Sequence, residues 1–579
     1  MVFHSPSWVP DLPLEPPDSI PIAQFMSEEV YGRCPPSQSR NPFTCGLTGK
    51  TYSVSELFQR SEHLARAISK RLNWQPYEGT CWDKVVGIFA LNSIDYITAA
   101  YGVHRLSGIV TTANAVYSAA ELEHHLRSSG TQVLITCVPL LETALQAAKA
   151  AGFPSSRIFL LEISGSPVNE ASGLATIDDL ISEGKGLPAL EPLQWVKGQG
   201  ARQPAFLCYS SGTSGLPKAV MISHKNIIAN VLQHSAYESV GRAQKGVSCQ
   251  TVLGILPFSH IYALIVAAHT ATYRGDEVIV LPKYEFEGFL AAVERFRISL
   301  LIVVPPMIIQ MLRGKEVCKK YDLGSVRFVF SGAAPLGEET MKELEQLIPT
   351  CTVAQAYGMT ETSVVVSAPS EHDVVKRTAG SLLPRFKAKL MDFDGKEVTG
   401  YNIPGELLIQ GPSVTLGYLN NAKATAETFV HDDDGRWIRT GDEAIFELAP
   451  SGNEHLVIVD RIKELIKVKG HQVAPAELEA HLLTHPAVAD CAVIQIPDER
   501  SGEVPKAFVV KAPDYLSKPD VEVAQTLDAY VAEHKAPYKW LKGGVEFLHV
   551  IPKSPSGKIL RRLLRDRERD ERRSQGGRL

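Results

Sequence analysis

The chain contains the stretch Tyr209-Ser210-Ser211-Gly212-Thr213-Ser214-Gly215-Leu216-Pro217-Lys218. The apolar runs on both sides of it, residues 205–208 and 219–222, are typical of short buried strands. Glycines let the backbone approach a ligand and turn its N–H groups toward it. Because the hydroxyls and Lys218 add further donors, the stretch predicts a loop that binds phosphate oxygens. A Ser/Gly-rich surface turn without a ligand has a similar composition.

This loop differs from a Walker A loop. In that motif, Gly-Lys-Ser/Thr leads directly into a helix. Here Leu216-Pro217 separates the glycine from the lysine, and a strand follows. The next helix is expected to begin near His224, with Ser223 as its cap.

The composition limits the class of protein. A chain of 579 residues is too long for one core, so two or more domains are expected. Hydrophobic residues make up 44% and charged residues 21%, as in ordinary globular proteins. The net charge of -5 argues against a nucleic-acid partner. The best apolar run, residues 261–268, is too short for a membrane span.

The cysteines and the first residues favour a reducing compartment. The nine cysteines are scattered and form no Cys-x-x-Cys pair, so neither a metal cage nor a disulfide framework is expected. Residues 1–21 are rich in proline and include acidic residues, and they lack the basic start and apolar centre of a signal peptide.

Helical and strand patterns alternate from Ser53 onward. Helical spacing covers residues 55–72 and 93–106, and buried-strand runs occur at 85–91, 133–136, 158–161 and 300–304. Such alternation predicts parallel sheets with helices on their faces. We expect residues 1–45 to lie as an extended arm over a domain surface.

The pattern changes after about residue 380. Short strands separated by Gly, Pro and Asp turns predict a small β-rich subdomain at about 380–459. From Asp460 a basic run is followed by a helix opened by Pro475 and by strands at 492–496 and 507–510. We therefore predict one domain over residues 1–459 and a separate small α+β domain over 460–579.

The segment 561–573 carries seven arginines against four acidic residues. A solvated helix with the pairs Arg562–Asp566 and Arg567–Glu571 is favoured over an arm that binds nucleic acid.

Later segments carry further groups that could act on a nucleotide or an acid. Taken singly, each is also explained by a core histidine, a strand-to-helix turn, an exposed basic strand or a lysine on a surface loop. The segments are Leu256-Pro257-Phe258-Ser259-His260-Ile261-Tyr262-Ala263-Leu264, Ser331-Gly332-Ala333-Ala334-Pro335-Leu336-Gly337, Gln355-Ala356-Tyr357-Gly358-Met359-Thr360-Glu361, Arg439-Thr440-Gly441-Asp442, the run 459–470, and Pro552-Lys553-Ser554-Pro555-Ser556-Gly557-Lys558-Ile559.

All these segments in this order resemble the acyl-adenylate-forming superfamily, which includes acyl- and aryl-CoA synthetases, adenylation domains and beetle luciferases. Residues 260–264 and 459–479 look most like the 4-coumarate–CoA ligase branch, and the whole chain resembles its fungal phenylacetyl-CoA-ligase-like members. The resemblance implies an α/β fold. A large N-terminal domain would hold two parallel-type α/β sheets and the β-rich subdomain, and the small α+β C-terminal domain would be mobile.

The resemblance also implies a nucleotide site. Tyr357 would stack on adenine, Asp442 would accept both ribose hydroxyls, and Thr213 with Glu361 would hold Mg²⁺ between phosphates. The residues implied to bind ATP or AMP are Ser210, Ser211, Gly212, Thr213, Ser214, Gly215, Lys218, Ala333, Gln355, Ala356, Tyr357, Thr360, Asp442, Arg461, Lys463 and Lys558.

Three residues are implied to be catalytic. Lys558 would bridge the substrate carboxylate and the nucleotide, His260 would lie beside that carboxylate, and Lys467 would enter for the thioester step. Asp460 matches the hinge between the domains. The positions implied to bind CoA are Lys467, Lys469, Gly470 and Gln472.

The implied reaction joins a carboxylic acid to CoA through acyl-AMP, with ATP, Mg²⁺ and CoA required. The pocket wall for the acid would be apolar, which favours an aromatic or medium-chain acid with an uncharged or weakly polar far end. Ala219 and Ala356 replace usual glycines, and His471 stands where an aromatic residue often contacts CoA. The wall positions are His260, Tyr262, Val266, Phe330, Ala333, Ala356, Gly358, Val365 and Val366.

Three alternatives stay open at this point. The chain could load the thiol of a carrier protein, it could be a luciferase-like oxygenase, or it could be a nucleotide-binding protein without catalysis. The final residues Gly577-Arg578-Leu579 partly match the Ser-Lys-Leu type of peroxisomal address, so import by a peroxisomal receptor is expected, with a cytoplasmic location as the alternative. An ordinary frayed tail would look the same.

Overall fold

Two seven-stranded sheets lie at the centre of the N-terminal part of the chain. The computed structural model describes residues 1–166, 173–210, 217–392, 394–469, 471–498, 500–554 and 557–576. The first sheet carries the strands on both sides of the phosphate-loop stretch. In spatial order its strands are Gly417–Tyr418, Lys218–Ser223, Pro204–Ser210, Ile109–Thr112, Val85–Phe89, Val133–Thr136 and Ile158–Leu160.

Five strands of this sheet, from Pro204–Ser210 to Ile158–Leu160, are parallel, and Lys218–Ser223 runs antiparallel to both of its neighbours. The second sheet is parallel except at one edge, where Phe43–Cys45 pairs with Thr51–Tyr52 in a hairpin. Its strands, in spatial order, are Thr352–Gln355, Phe328–Ser331, Leu300–Val303, Thr251–Gly254, Glu277–Val280, Phe43–Cys45 and Thr51–Tyr52. The expected α/β class with two parallel-type sheets is confirmed.

Of two further antiparallel sheets, only the larger falls mainly within the range of about 380–459 that was predicted to be rich in β-strands. The smaller one consists of Tyr357–Met359, Val364–Ala368 and Ser381–Leu382. The larger one consists of Phe3–His4, Lys387–Met391, Gly405–Gln410, Gly435–Leu448 and Phe429–Asp432, with Glu454–Arg461 also paired to Gly435–Leu448. That last pairing shifts register between Glu443 and Ala444, so a bulge separates the pairs Asp442–Arg461 and Glu443–Asp460 from the rest.

The prediction of a surface arm over residues 1–45 is only partly right. Phe3–His4 is an edge strand paired with Lys387–Met391, and the ring of Phe3 stacks on Phe446 with centroids 3.8 Å apart. Phe43–Cys45 is an internal strand of the second sheet. Burial of these phenylalanine rings explains why the segment joins the sheets, since Phe3 is fully buried and Phe43 nearly so.

The last part of the chain has a sheet and a core of its own. Its strands are His471–Val473, Ile466–Val468, Gly502–Lys511 and Val488–Asp498, with Val545–Phe547 also paired to Gly502–Lys511. Leu478, Val493, Val509 and Leu527 are fully buried against one another in this core.

The helices begin and end close to the sequence signals. Ser223 caps the helix that begins at His224, because its hydroxyl accepts from the N–H of Asn226 at 3.1 Å, and Pro475 opens a helix as predicted. The helices are Ile22–Ser27, Val54–Leu72, Tyr96–His104, Ala119–Ser129, Leu141–Ala151, Ile177–Lys185, Gln199–Arg202, His224–Gln244, Phe286–Phe296, Pro305–Arg313, Lys315–Cys318, Glu338–Leu347, Ala422–Thr428, Pro475–Leu483, Asp520–His534 and Arg561–Gly576, with a π-helix at Ala263–Ala271.

The C-terminal helix Arg561–Gly576 is less solvated than predicted. Arg567 pairs with Glu571 at 3.2 Å as expected, whereas Asp566 pairs with Arg569 at 2.7 Å. One face is buried, because Leu564 packs in a core cluster and Arg561 bonds Glu479 at 2.6 Å. No helix in the described ranges is both long enough and apolar enough to cross a membrane.

Candidate active site

The two strands of the phosphate-loop stretch place Ser210 and Lys218 opposite each other as a cross-strand pair. The positions Ser211, Gly212, Thr213, Ser214 and Gly215 lie outside the described residues, so their assignment stays a prediction. The ammonium of Lys218 lies over the ring of Tyr418, 4.9 Å from its centroid. A cation is therefore held at the first residue of the strand that follows the loop.

Glu361 lies close to this lysine. Its carboxylate accepts a hydrogen bond from the Tyr418 hydroxyl, with 2.9 Å between Tyr418 Oη and Glu361 Oε1. The side chain is 5% exposed and sits in a short 3-10 turn, Thr360–Thr362. A buried carboxylate beside a phosphate-binding segment suits Mg²⁺, which takes carboxylate and phosphate oxygens as ligands. The residues present thus fit the metal that the sequence predicts.

Tyr357, Asp442 and Arg461 come from three strands and meet at one point. The Tyr357 hydroxyl donates to Asp442 Oδ2 at 2.6 Å, and Arg461 Nε lies 3.6 Å from Asp442 Oδ1. Burial and the adjacent carboxylate raise the pKa of Tyr357 well above its usual value. The arrangement places an aromatic ring beside a carboxylate and a guanidinium, as binding of a nucleoside requires.

The loop after strand Phe328–Ser331 is held in a strained form. Ala333 has a φ of 69°, in the left-handed region that residues with a Cβ rarely occupy. The N–H of Ala356 donates to Ser331 O at 3.0 Å, and Gln355 Oε1 accepts from the N–H of Leu336 at 3.0 Å. The side chain of Gln355 therefore positions the loop, in addition to any contact with a nucleotide.

Lys558 enters the site from the C-terminal domain. Burial lowers its pKa to about 8, with the charge of Arg461 acting in the same direction and those of Asp442 and Glu361 opposing it. Gly557 has a φ of 79°, and a Cβ there would lie 3.2 Å from atoms of Val304 and Pro306. The close contact with the N-terminal domain thus needs a glycine.

His260 faces this lysine. Burial lowers the pKa of His260 to about 4, and the charge of Lys558 adds to the effect. At neutral pH the imidazole is uncharged, and its N–H can donate a hydrogen bond to a carboxylate. The charge of Lys558 therefore acts on His260, and the role of both residues in holding the acid stays a prediction.

The structure has one defined orientation of the two domains. Arg313 of the N-terminal domain donates to the carbonyl of Val488 at 2.9 Å. Asp460 is buried, and its two carboxylate oxygens accept from the N–H groups of Arg461 at 2.7 Å and Ala476 at 2.9 Å. Asp460 therefore joins the last strand of the large antiparallel sheet to the first helix of the C-terminal domain, a position that suits the predicted hinge.

The predicted CoA positions are not grouped with Lys558. Lys467, Lys469 and Gln472 lie exposed on or beside the hairpin strands Ile466–Val468 and His471–Val473, and Lys463 is exposed as well. Gly470 lies outside the described residues. The ring of His471 stacks on Tyr538 with centroids 4.4 Å apart. In this orientation the C-terminal domain presents Lys558 to the site and the hairpin to solvent.

The predicted pocket wall divides into a buried part and an exposed part. Tyr262, Val266, Phe330, Val365 and Val366 are buried, Ala356 is partly buried, and Ala333 and Gly358 are exposed. The Tyr262 hydroxyl donates to the carbonyl of Phe330 at 2.8 Å. Val266 lies in the π-helix Ala263–Ala271, a conformation that is frequent at functional sites.

Sequence reasoning missed three residues around the site. Tyr418 lies between Lys218 and Glu361, Asn230 bonds both main-chain groups of Val365, and His234 stacks on Phe330. The available signal for Asn230 and His234 was a row of polar residues, Asn230, Gln233 and His234, three and four positions apart in one helix. Helical spacing of this kind puts polar groups on one face.

Comparison with protein families gives two matches. The model described as AMP-binding enzyme matches residues 37–419, and the model described as AMP-binding enzyme C-terminal domain matches residues 477–558. Lys218, Glu361 and Lys558 lie within these matched ranges, whereas Asp442 and Arg461 lie between them.

Full-length relatives and solved structures are similar to the chain. Acyl-CoA ligase easD of Emericella nidulans is 38% identical over 98% of this chain and 100% of that protein. Acyl-CoA ligase AFT1-1 of Alternaria alternata is 41% identical over 98% of this chain and 97% of that protein. The anthranilate CoA ligase AuaEII in complex with anthranoyl-AMP has a TM-score of 0.78 at 22% identity, over 95% of this chain and 97% of that one, which supports the fold.

Proposed function

The chain belongs to the AMP-binding enzyme family and is an acyl-CoA ligase, and we propose that it activates an aromatic or medium-chain carboxylic acid. The observation that supports the proposal is the electrostatic coupling of Lys558 to both His260 and the buried carboxylate of Glu361, which is held by Tyr418. ATP and CoA are the other substrates.

The first half-reaction makes the acid a good acyl donor. The carboxylate oxygen attacks the α-phosphate of ATP, a bond forms between them, and pyrophosphate leaves from the α-phosphorus. Because catalysis of such transfers is mostly positioning and charge stabilisation, the cations around the phosphates matter most. Lys218 would hold the outer phosphates, and Lys558 would contact both the acid and the α-phosphate. His260 would orient the carboxylate.

Mg²⁺, when bound, would be held by Glu361 and would spread the negative charge of the phosphates. Tyr418 orients this carboxylate through its hydrogen bond. Tyr357 would stack on adenine, and Asp442 would accept from the ribose hydroxyls. The remaining residues predicted to bind the nucleotide, which include Thr360 and Lys463, are also proposed to contact ATP or AMP.

The second half-reaction transfers the acyl group to sulfur. The C-terminal domain would turn about Asp460, which withdraws Lys558 and brings Lys467 and the residues near Gly470 to the site. The CoA thiolate would then attack the acyl carbonyl, forming the thioester and releasing AMP. Lys467, Lys469 and Gln472 are exposed in the present orientation. A rotation that brings them to the site in place of Lys558 is compatible with this exposure.

The wall residues support the choice of acid. Val266, Phe330, Val365 and Val366 are apolar and each at most 2% exposed, so an acid bound against them would be surrounded by apolar side chains. The methyl group of Ala356 occupies space where the ligase pattern has glycine. A long acyl chain would need that space, so aromatic and medium-chain acids are expected to react better than long-chain fatty acids.

A panel of carboxylic acids tests this proposal. The purified chain, ATP, Mg²⁺ and CoA are mixed with benzoic, phenylpropanoic, medium-chain and long-chain acids, and AMP release is measured with and without CoA. The expected result is CoA-dependent AMP release, highest for aromatic or medium-chain acids. A preference for palmitate contradicts the proposed size limit, and transfer to a carrier-protein thiol in place of CoA contradicts the choice of acceptor. Release of AMP that consumes oxygen would instead favour the oxygenase alternative.

The location of the protein is a separate proposal. We propose import into peroxisomes through Gly577-Arg578-Leu579, which lies outside the described residues and shares the basic residue and leucine of peroxisomal addresses. A fluorescent protein fused to the last dozen residues should collect in peroxisomes of a fungal cell. A diffuse signal would favour the cytoplasmic alternative.

A further inference from the structure

The main-chain segment that carries His260 is held by side chains from the other large sheet. The segment follows the strand Thr251–Gly254, which belongs to the second seven-stranded sheet. Asn92, in contrast, follows the strand Val85–Phe89 of the first sheet. Hydrogen bonds from Asn92 to the segment therefore join the two sheets beside His260.

The side-chain amide of Asn92 bonds the segment through both its nitrogen and its oxygen. Nδ2 donates to Leu256 O at 2.8 Å and lies 3.4 Å from Gly254 O. Oδ1 accepts from the N–H of Phe258 at 2.8 Å. Asn92 is 3% exposed, so these bonds form where water competes little. An amide that is bonded at both atoms has a fixed direction, and it fixes the main chain that it bonds.

Thr112 makes a further bond to the segment from an adjacent strand of the first sheet, Ile109–Thr112. Its hydroxyl donates to Ser259 O at 2.9 Å, and the sulfur of Cys208, a weaker acceptor, lies 3.6 Å from the same oxygen. Thr112 is 2% exposed. Because Ser259 immediately precedes His260, this bond acts next to the residue that carries the imidazole.

The ring of His260 is held as well. The N–H of Tyr262 donates to His260 Nδ1 at 3.3 Å. Burial lowers the pKa of His260 to about 4, which leaves the ring neutral at neutral pH. In a neutral imidazole the nitrogen that accepts a hydrogen bond carries no proton, so the proton lies on Nε2. Nε2–H is therefore the group that can donate to a ligand.

We propose that Asn92 and Thr112 are positioning residues for acyl-AMP formation, because they fix the segment so that Nε2–H of His260 meets the carboxylate of the acid. The inference rests on the proposed function, in which His260 orients that carboxylate. Neither residue needs to contact the acid, since their hydrogen bonds go to main-chain groups of the segment. Loss of either bond would let His260 shift without removing any group that binds ATP.

ATP–pyrophosphate exchange with varied acid and varied ATP tests the proposal. The acid is the best substrate from the panel of carboxylic acids described above. Asn92→Ala should lower kcat/KM for the acid by roughly tenfold to a hundredfold, since a small displacement of an orienting group is costly. The KM for ATP should stay unchanged, because the segment contains no residue assigned to the nucleotide.

Thr112 offers a matched pair of substitutions. Thr112→Val keeps the shape of the side chain and removes the bond to Ser259, so it should lower kcat/KM for the acid by roughly threefold or more. Thr112→Ser keeps the hydroxyl and should retain most of the wild-type value. A purely steric role of Thr112 predicts the reverse order, with the valine variant closer to the wild-type protein.

A double-mutant cycle separates positioning from general destabilisation. In the His260→Ala background, Asn92→Ala should cause no further loss of kcat/KM for the acid, because the group that it positions is gone. The control is Gln203→Ala. Gln203 is 9% exposed, donates to Ser107 O at 2.9 Å, and precedes the strand Pro204–Ser210 at the end opposite to the phosphate loop. This control should lower stability and leave kcat/KM for the acid unchanged.

Equal losses of kcat/KM for Asn92→Ala in the wild-type and His260→Ala backgrounds would overturn the inference, as would wild-type values for both Asn92→Ala and Thr112→Val. If Asn92→Ala does not fold, the order of Thr112→Val and Thr112→Ser decides the question. A wild-type value for His260→Ala would overturn the role of His260 and this inference with it, while leaving the ligase function intact. Absence of AMP release with every acid would overturn the proposed function itself.

Discussion

Lys558 is the residue whose role depends most directly on the orientation of the two domains. Replacing it with alanine should slow acyl-AMP formation by roughly 10²–10³-fold, because a preorganised cation at the phosphates is lost. Thioester formation from supplied acyl-AMP should change little, since Lys558 is expected to be withdrawn in that step. ATP–pyrophosphate exchange measures the first step, and CoA consumption with synthetic acyl-AMP measures the second.

The reciprocal control is Lys467→Ala, which should impair thioester formation and spare acyl-AMP formation. Equal losses in both steps for Lys558→Ala would refute the proposal that the C-terminal domain rotates between the two half-reactions.

Ala356 is proposed to limit the length of acid that fits, again at the level of a single side chain. Ala356→Gly should raise activity on longer or bulkier acids by roughly tenfold or more, because the methyl group no longer fills the pocket. The measurement is kcat/KM over a series of acids of increasing length. Ala219→Gly is a suitable control, because Ala219 is a second position where alanine replaces the usual glycine and lies on the strand Lys218–Ser223. A chain-length profile that stays the same in Ala356→Gly would show that the pocket ends elsewhere.

At the scale of elements, the hairpin of Tyr357–Met359 and Val364–Ala368 depends on one glycine. A Cβ at Gly358 would lie 1.6 Å from the carbonyl oxygen of Val364, so Gly358→Ala must push the two strands apart. We expect a loss of stability above about 3 kcal/mol together with loss of activity, as for a main-chain clash that cannot relax. Urea unfolding followed by circular dichroism gives the stability.

Gly186→Ala is the matched control for that change. A Cβ at Gly186 would make ordinary contact, 3.7 Å from the Glu183 carbonyl, so its effect should stay within about 0.5 kcal/mol. A stability of Gly358→Ala close to that of the control would contradict the close approach of the two strands.

The same elements show what the sequence could and could not predict. The cap at Ser223 and the helix start at Pro475 rest on contacts within a few residues, and both were predicted correctly. The pairing of Phe3 with Ala388 and the stacking of His234 on Phe330 join distant parts of the chain. No local periodicity encodes such contacts, because they exist only after the sheets have assembled. The motif residues could be assigned because the family resemblance supplies those distant contacts.

At the scale of the whole molecule, buried histidines should make stability fall in mild acid. Burial lowers the pKa of His104 and His125 to about 3 and that of His269 to about 4, and it also lowers the pKa of His224. Unfolding returns each pKa to about 6.5, so below that pH the unfolded chain binds more protons and stability falls as pH falls. Each histidine contributes up to about 1.4 kcal/mol per pH unit. Glu162, whose pKa burial raises to about 7, acts in the opposite direction.

The temperature of half-unfolding should therefore decrease as the pH is lowered from about 7.5 to about 5.5. This range crosses the pKa of histidine in the unfolded chain. His104→Phe removes one of these groups and should flatten the dependence. An unchanged or rising unfolding temperature toward pH 5.5 would mean that the histidines are protonated in the folded state or that other groups outweigh them.

The bulge between Glu443 and Ala444 has a consequence for how the two domains can move relative to each other. Only two residue pairs, Asp442–Arg461 and Glu443–Asp460, lie beyond it, and the rest of strand Glu454–Arg461 stays paired to its neighbour. Rotation of the C-terminal domain about Asp460 can therefore break these two residue pairs without disturbing the rest of the sheet. Asp442 and Arg461 are also the residues proposed to bind the ribose, so the pair that would separate when the domain rotates is the pair proposed to hold AMP. If both proposals hold, rotation of the domain would loosen the nucleotide, and AMP release would coincide with that rotation.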